Sequence, residues 1–190
     1  METRENEIET KKKISILIIG EDKVGKTSFI SKYINNIFPK EKSSDEEIEK
    51  LEEKEPETKL FIKDEKKYPI SLHEVIYNFN PNSDEFKNCD GIIIMYDITN
   101  KESFKDIDEL INYCKKTKGE EFPILLLGNK IDEINKRKVN EDDGKKLAKE
   151  KRINFKELSC KDGDVDTVVK DLIENILANK QNSCCFSCFH

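Results

Sequence analysis

At 190 residues the chain has the length of one compact domain with short extensions, not of a multidomain machine. Hydrophobic residues make up 35% and charged residues 39%, so a core can form only if the apolar residues are concentrated in a few segments. Lys+Arg 34 against Asp+Glu 40 leaves a net charge of −6, which argues against a nucleic-acid binder driven by phosphate neutralisation. No apolar run approaches the ~18 to 20 residues that cross a bilayer, and the polar stretch Met1 to Lys13 lacks a signal-peptide core. The chain is therefore expected inside the cell, with its six cysteines as free thiols.

After a charged leader, residues 1–11, comes Ile14-Ser15-Ile16-Leu17-Ile18-Ile19, a β-branched, nearly continuous apolar run that suits a strand buried on both faces of a parallel sheet. Gly20 ends it, and Ser28 to Asn35 reads as helix. Residues 40–59 hold nine acidic residues and five lysines with only Ile48 and Leu51 as large apolar side chains, and the core of this stretch, about 40–57, is expected as a solvated insert. Leu60 to Ile62 and Tyr68 to Val75 look like two strands of a hairpin joined by Lys63 to Lys67. Ile92 to Tyr96 and Ile124 to Gly128 repeat the character of the first strand, and Ile153 to Leu158 is a weaker copy. Val165, Val168, Val169, Leu172, Ile173, Ile176 and Leu177 then keep one apolar helical face. Strands alternating with helices at this spacing predict an α/β fold, one three-layer domain over residues 12–179 wound by right-handed crossovers. Residues 180–190 show neither periodicity and are expected as a flexible Cys-rich tail.

Gly20-Glu21-Asp22-Lys23-Val24-Gly25-Lys26-Thr27 fits G-x-x-x-x-G-K-[ST] between a buried strand and a helix. Glycines let backbone N–H groups converge on phosphate oxygens, and the helix beginning near Ser28 aims its N-terminus at the same charge. Lys26 would reach the β and γ phosphates, and Thr27 would place a hydroxyl on Mg²⁺. Asn129-Lys130-Ile131-Asp132 follows the strand ending at Gly128. Asp132 could accept paired hydrogen bonds from guanine N1–H and its exocyclic amine, Lys130 could cover the purine face, and Asn129 could tie this loop to the phosphate loop. Ser159-Cys160-Lys161 follows the next strand, where its backbone N–H groups could meet the guanine carbonyl.

With these three motifs in order, the chain resembles the Ras superfamily of small GTPases, most nearly its Rab branch, over residues 12 to 190. Tyr96-Asp97-Ile98-Thr99-Asn100-Lys101-Glu102-Ser103-Phe104 and Glu157-Leu158-Ser159-Cys160-Lys161 carry the same resemblance. It implies a P-loop NTPase fold, a six-stranded mostly parallel sheet with one antiparallel strand and about five flanking helices. It also implies GTP/GDP and Mg²⁺ as ligands, and Phe38 against the guanine edge, though Phe38 equally suits a core position closing the first helix. Paired cysteines near the end of Rab relatives are geranylgeranylated, which points to lipidation of Cys184, Cys185 and Cys188 and to the cytoplasmic face of an intracellular membrane. Neither usual prenylation pattern fits, because Cys184-Cys185 stands five residues from the end and Ser187 holds the C-a-a-X position. Acylation, a metal site with His190 and an unmodified tail stay open. The implied partners are an exchange factor, an activating protein and effectors.

The switch machinery departs from the family. The acidic insert replaces the first switch, leaving Ser43, Ser44 and Thr58 as its hydroxyls. Glu74-Val75-Ile76-Tyr77-Asn78 stands where the family has Asp-x-x-Gly-Gln, with Glu74 as a candidate for holding Mg²⁺ through water and Asn78 as a shortened water-orienting amide. Asp22 replaces a small residue near the γ phosphate. Slow hydrolysis is expected. A module that holds nucleotide without switching, or a P-loop ATPase or small-molecule kinase, are the competing readings; the last leaves Asn129 to Asp132 unexplained.

Overall fold

The computed structural model describes residues 9–37, 58–76 and 83–186, apart from the side chains of residues 76 and 182–186. Its elements in chain order are β1 (Glu9–Thr10), β2 (Ile14–Gly20), α1 (Lys26–Asn35), β3 (Thr58–Lys63), β4 (Lys66–Ile76), α2 (Asp84–Asn88), β5 (Gly91–Asp97), α3 (Glu102–Lys105), α4 (Ile107–Lys118), β6 (Ile124–Asn129), a 3₁₀ helix over Ile131–Lys136, α5 (Glu141–Lys151), β7 (Asn154–Glu157) and α6 (Val165–Phe186).

The apolar runs become strands because both faces of the sheet are covered. Ile16 and Ile18 of β2, Ile93 and Met95 of β5, and Leu125 and Leu127 of β6 pack with Phe29 and Tyr33 of α1 and Val169, Leu172 and Ile173 of α6. Their neighbours Leu17, Ile19, Ile92, Ile94 and Leu126 point the other way, onto Phe86, Ile107, Ile111, Cys114 and Ala148 of α2, α4 and α5. Successive strand residues alternate between faces, so only a run apolar at every position can serve two helical layers.

In the sheet, β2 pairs with β4 on one side and β5 on the other, β5 with β6, and β6 with β7, all in parallel. β3 pairs antiparallel with β4 through a turn at Asp64 and Glu65, whose φ of 49° and 58° give the left-handed pair that a tight hairpin demands. The chain runs from β2 outward one way through β4 and then returns to β5 on the other side. The carboxyl ends of β2 and β5 therefore flank the point where winding reverses, the position at which open α/β sheets bind ligands.

Two expectations need correction. The sheet has seven strands rather than six, because Glu9 and Thr10, within the charged leader, pair in parallel with Lys66 and Lys67. Six α-helices flank it among the described residues, in keeping with the expected number of about five, and the short α2 and four-residue α3 are the ones a periodicity search passes over. The last helix runs to Phe186, so the backbone from residue 180 continues α6 instead of leaving it. The acidic insert at about 40–57, Ser43, Ser44, Phe38, Tyr77, Asn78, Cys188 and His190, together with the side chains of Cys184 and Cys185, lie outside the described residues.

Cys89, Cys114 and Cys160 are free and buried. Burial pushes the Cys89 thiol up to about 11 and those of Cys114 and Cys160 to about 12. The thiolate is the reactive form and is favoured only above these values, so at pH 8 about one in a thousand or fewer of these groups is ionised. Iodoacetamide at pH 8 should leave these three positions unmodified in the folded protein and label them after denaturation, as read by peptide mass mapping.

Candidate functional site

The phosphate loop turns sharply out of β2. Lys23 has φ 62° and Gly25 φ 103°, and a Cβ on Gly25 would lie 2.3 Å from the Asn129 amide nitrogen. Glycine is thus required at position 25 twice over, by conformation and by the closeness of Asn129. At the other end of the loop a Cβ on Gly20 would lie 2.4 Å from the Met95 carbonyl oxygen. The Lys26 side chain turns back along the loop, donating from Nζ to the Gly20 carbonyl at 3.0 Å and the Glu21 carbonyl at 2.8 Å. Lys26 is only 7% exposed, and its ammonium has three N–H groups, two of which these carbonyls use, leaving one for an anion. Helix α1 starts at Lys26 with no acidic residue in its first turn, so its positive end is uncompensated from within.

Beside the loop, Thr27 Oγ1 donates to the Glu74 carboxylate, 2.8 Å from Oε2 and 3.0 Å from Oε1. Parallel pairing sets Glu74 opposite Ile18, near the end of β4, which brings it alongside the start of α1. A hydroxyl and a carboxylate in contact form an all-oxygen set, the donor chemistry Mg²⁺ prefers, so these residues fit the ion that the motif implies. Asp22, Lys23, Lys26, Thr27, Glu74 and Lys130 line a cleft of about 510 Å³ here, with Asp22 exposed at its rim.

Asn129, 2% exposed at the end of β6, joins two loops. Its Nδ2 donates to the Val24 carbonyl at 2.8 Å, and its Oδ1 accepts from the Cys160 N–H at 3.0 Å. The Cys160 amide expected to meet a base carbonyl is therefore engaged with Asn129, and the Lys161 amide donates to Ser159 Oγ at 3.1 Å. Ser159, 3% exposed, organises its own turn, its carbonyl accepting from Gly163 N–H at 2.6 Å. Lys130 adopts φ 71°, and Asp132 follows on the exposed surface of the 3₁₀ helix.

Two ion pairs support this arrangement that no linear motif announces. Lys130 Nζ lies 2.7 Å from Asp97 Oδ2 at the end of β5. Arg137 grips Glu157 with both guanidinium nitrogens, at 2.8 Å and 2.6 Å, fastening the segment after Asp132 to β7 just before the Ser159 loop. That carboxylate raises the Arg137 pKa further through its hydrogen bond. Parallel register, with Asp97 opposite Asn129, is the signal for the first pair and is visible only once strands are aligned; Arg137 lies beyond the 3₁₀ helix in no strand, so no register points to the second.

The turn after β2 and two further loops held to one asparagine are the features to set beside known proteins. The model of the Ras family matches residues 15–178. The chain is 31% identical over 173 residues to Ras-related protein Rab-10 of Caenorhabditis elegans, covering 88% of this chain and 83% of that one. It is 31% identical over 171 residues to Ras-related protein Rab-12 of Homo sapiens, covering 87% and 67%. It is also 28% identical over 193 residues to EF-hand calcium-binding domain-containing protein 4B of Homo sapiens, covering 90% of this chain but only 25% of that protein's length. The chain belongs to the Ras family, as a small GTPase close to Rab.

Truncating Asn129 to alanine would orphan the Val24 carbonyl and the Cys160 N–H, at about 1–3 kcal/mol for each buried group left unpaired. Asn129→Ala should lower the denaturant midpoint accordingly at unchanged slope, checked by urea unfolding followed by circular dichroism.

Proposed function

We propose that this chain binds GTP and GDP with Mg²⁺ and acts as a membrane-tethered switch in vesicle trafficking, with slow intrinsic hydrolysis. The observation that carries this reading is the Asn129 bridge, which fixes the base-side loops and the phosphate loop as one surface. Lys26 and the loop amides would neutralise phosphate charge. Thr27 and Glu74 would hold Mg²⁺, which when bound lowers the charge on the β and γ phosphate oxygens. Asp132 and Lys130 would take the guanine, and the Ser159-Cys160-Lys161 turn, whose Cys160 and Lys161 amides are already engaged, would flank it. Slow turnover follows from Tyr77 and Asn78 in place of glycine and glutamine, because phosphoryl transfer depends on the position of the attacking water. Cys184, Cys185 and Cys188 would carry the lipid, since two chains anchor stably where one is marginal. Among the described residues no helix is long and apolar enough to cross a membrane. An exchange factor, an activating protein and effectors complete the cycle.

A second reading has one sequence feature in its favour. Glu74-Val75-Ile76-Tyr77-Asn78 suits a module that keeps nucleotide as structure and presents a fixed surface.

Protein purified natively with Mg²⁺ and then denatured should release GDP or GTP, identified by chromatography, and should reject ATP on titration. Asp132→Asn should weaken GTP binding at least tenfold through loss of the paired carboxylate contact, about 1.4 kcal/mol; unchanged affinity removes the guanine assignment. Tyr77→Gly with Asn78→Gln should raise single-turnover hydrolysis of GTP, whereas no rise favours the non-switching module.

A further inference from the structure

Among the described residues Asp97 is the one buried acidic residue, at 6% exposure, and both of its carboxylate oxygens are committed. Oδ1 accepts from the Thr99 N–H at 2.8 Å and from the Thr99 hydroxyl at 2.7 Å. Oδ2 faces Lys130 Nζ at 2.7 Å. The backbone is pinned as well, because Asp97 N–H donates to Ser103 Oγ at 3.0 Å and Ile98 N–H donates to the Asn129 carbonyl at 3.1 Å. A carboxylate so held has its orientation fixed before any ligand arrives.

Lys130 is the opposite kind of residue until it meets Asp97. A lysine stem has four rotatable carbons and a strongly hydrated tip, so left alone it samples many rotamers. Here its backbone is in the left-handed region at φ 71°, next to the Asn129 bridge, and its tip is on Asp97. The side chain is thereby fixed at both ends while remaining 30% exposed along its length, where it lines the cleft with Lys26 and Thr27.

We propose that Asp97 is a positioning residue for guanine-nucleotide retention: by anchoring the Lys130 ammonium it preorganises the lysine stem as the platform on which the purine face rests. The proposal deepens the guanine reading above and rests on it. Asp97 touches no ligand; it acts by removing the rotamer freedom that binding would otherwise have to remove. A platform under the purine face does not read the base edge, so Asp97 should affect guanine and hypoxanthine nucleotides alike, unlike Asp132.

The test is release of fluorescently labelled GDP and IDP from full-length protein with Mg²⁺ after a chase of unlabelled nucleotide, for the wild type, Asp97→Asn, Lys130→Met and the double variant. Asp97→Asn keeps an acceptor for Thr99 and removes only the charge, and Lys130→Met keeps an apolar stem without the ammonium. Each single variant should speed release of both nucleotides by the same factor, roughly tenfold from the loss of one charge-assisted contact. The double variant should be no faster than the faster single one, since both act through one pair. Asp97→Glu, with its charge restored, should recover part of the loss. Unchanged release in Asp97→Asn, or additive factors in the double variant, overturns the proposal and leaves the guanine site standing. Wild-type protein that binds no GDP overturns both. If Asp97→Asn fails to fold, Lys130→Met decides alone, and release at the wild-type rate overturns the platform.

Discussion

The Asn129 side chain is the contact on which the rest of the site depends. One amide group donates to the loop after β2 and accepts from the loop after β7, with β5 and β6 lying between them in the sheet. A primary amide suits this task because it carries donors and an acceptor on one planar group, so two loops with opposite needs share it. Its burial makes the bridge strong, since neither bond competes with water. The close approach of Gly25 completes it: the loop can lie against Asn129 only because no Cβ stands between them.

Around that bridge the sheet supplies position and the ion pairs supply stiffness. Parallel register brings the ends of β2, β5, β6 and β7 to one edge, so the residues following each strand share a surface although the chain separates them widely. Arg137 with Glu157 and Lys130 with Asp97 then tie the flanking turns to strand ends. Both carboxylates are nearly buried, which makes breaking either pair by removing one partner costly, whereas their net contribution to stability is modest. Their value lies in geometry.

Much of this was legible in the chain. Strands β2, β5 and β6 were plain because a run such as Ile92-Ile93-Ile94 has no solvent face to offer, and the phosphate loop because its glycines and lysine keep the G-x-x-x-x-G-K-[ST] spacing between a buried strand and a helix. What escaped lay in pairings that linear order hides. Glu9 and Thr10 look like any polar leader, and their strand exists because Lys66 and Lys67 offer an edge beside them. The sequence alone ends the last helix near residue 179 because residues 180–190 show no apolar periodicity, whereas α6 runs on to Phe186. Asp97 appeared only as part of a resemblance; its partner became visible when β5 and β6 were laid side by side.

The strand carrying the phosphate loop also sits at the centre of the sheet, taking β4 on one flank and β5 on the other from far along the chain. Neither flank is a local hairpin, so β2 is secured only after long stretches of chain have closed, and topologies of that kind form slowly. The ligand cradle therefore has no independent existence: it appears when the whole sheet has assembled and goes when the sheet goes. Occupancy and folding are coupled for this chain, and a ligand at a hundred times its dissociation constant would stabilise the entire domain by about 2.7 kcal/mol. A ligand of the cradle would thus act on the whole fold and not on one loop alone.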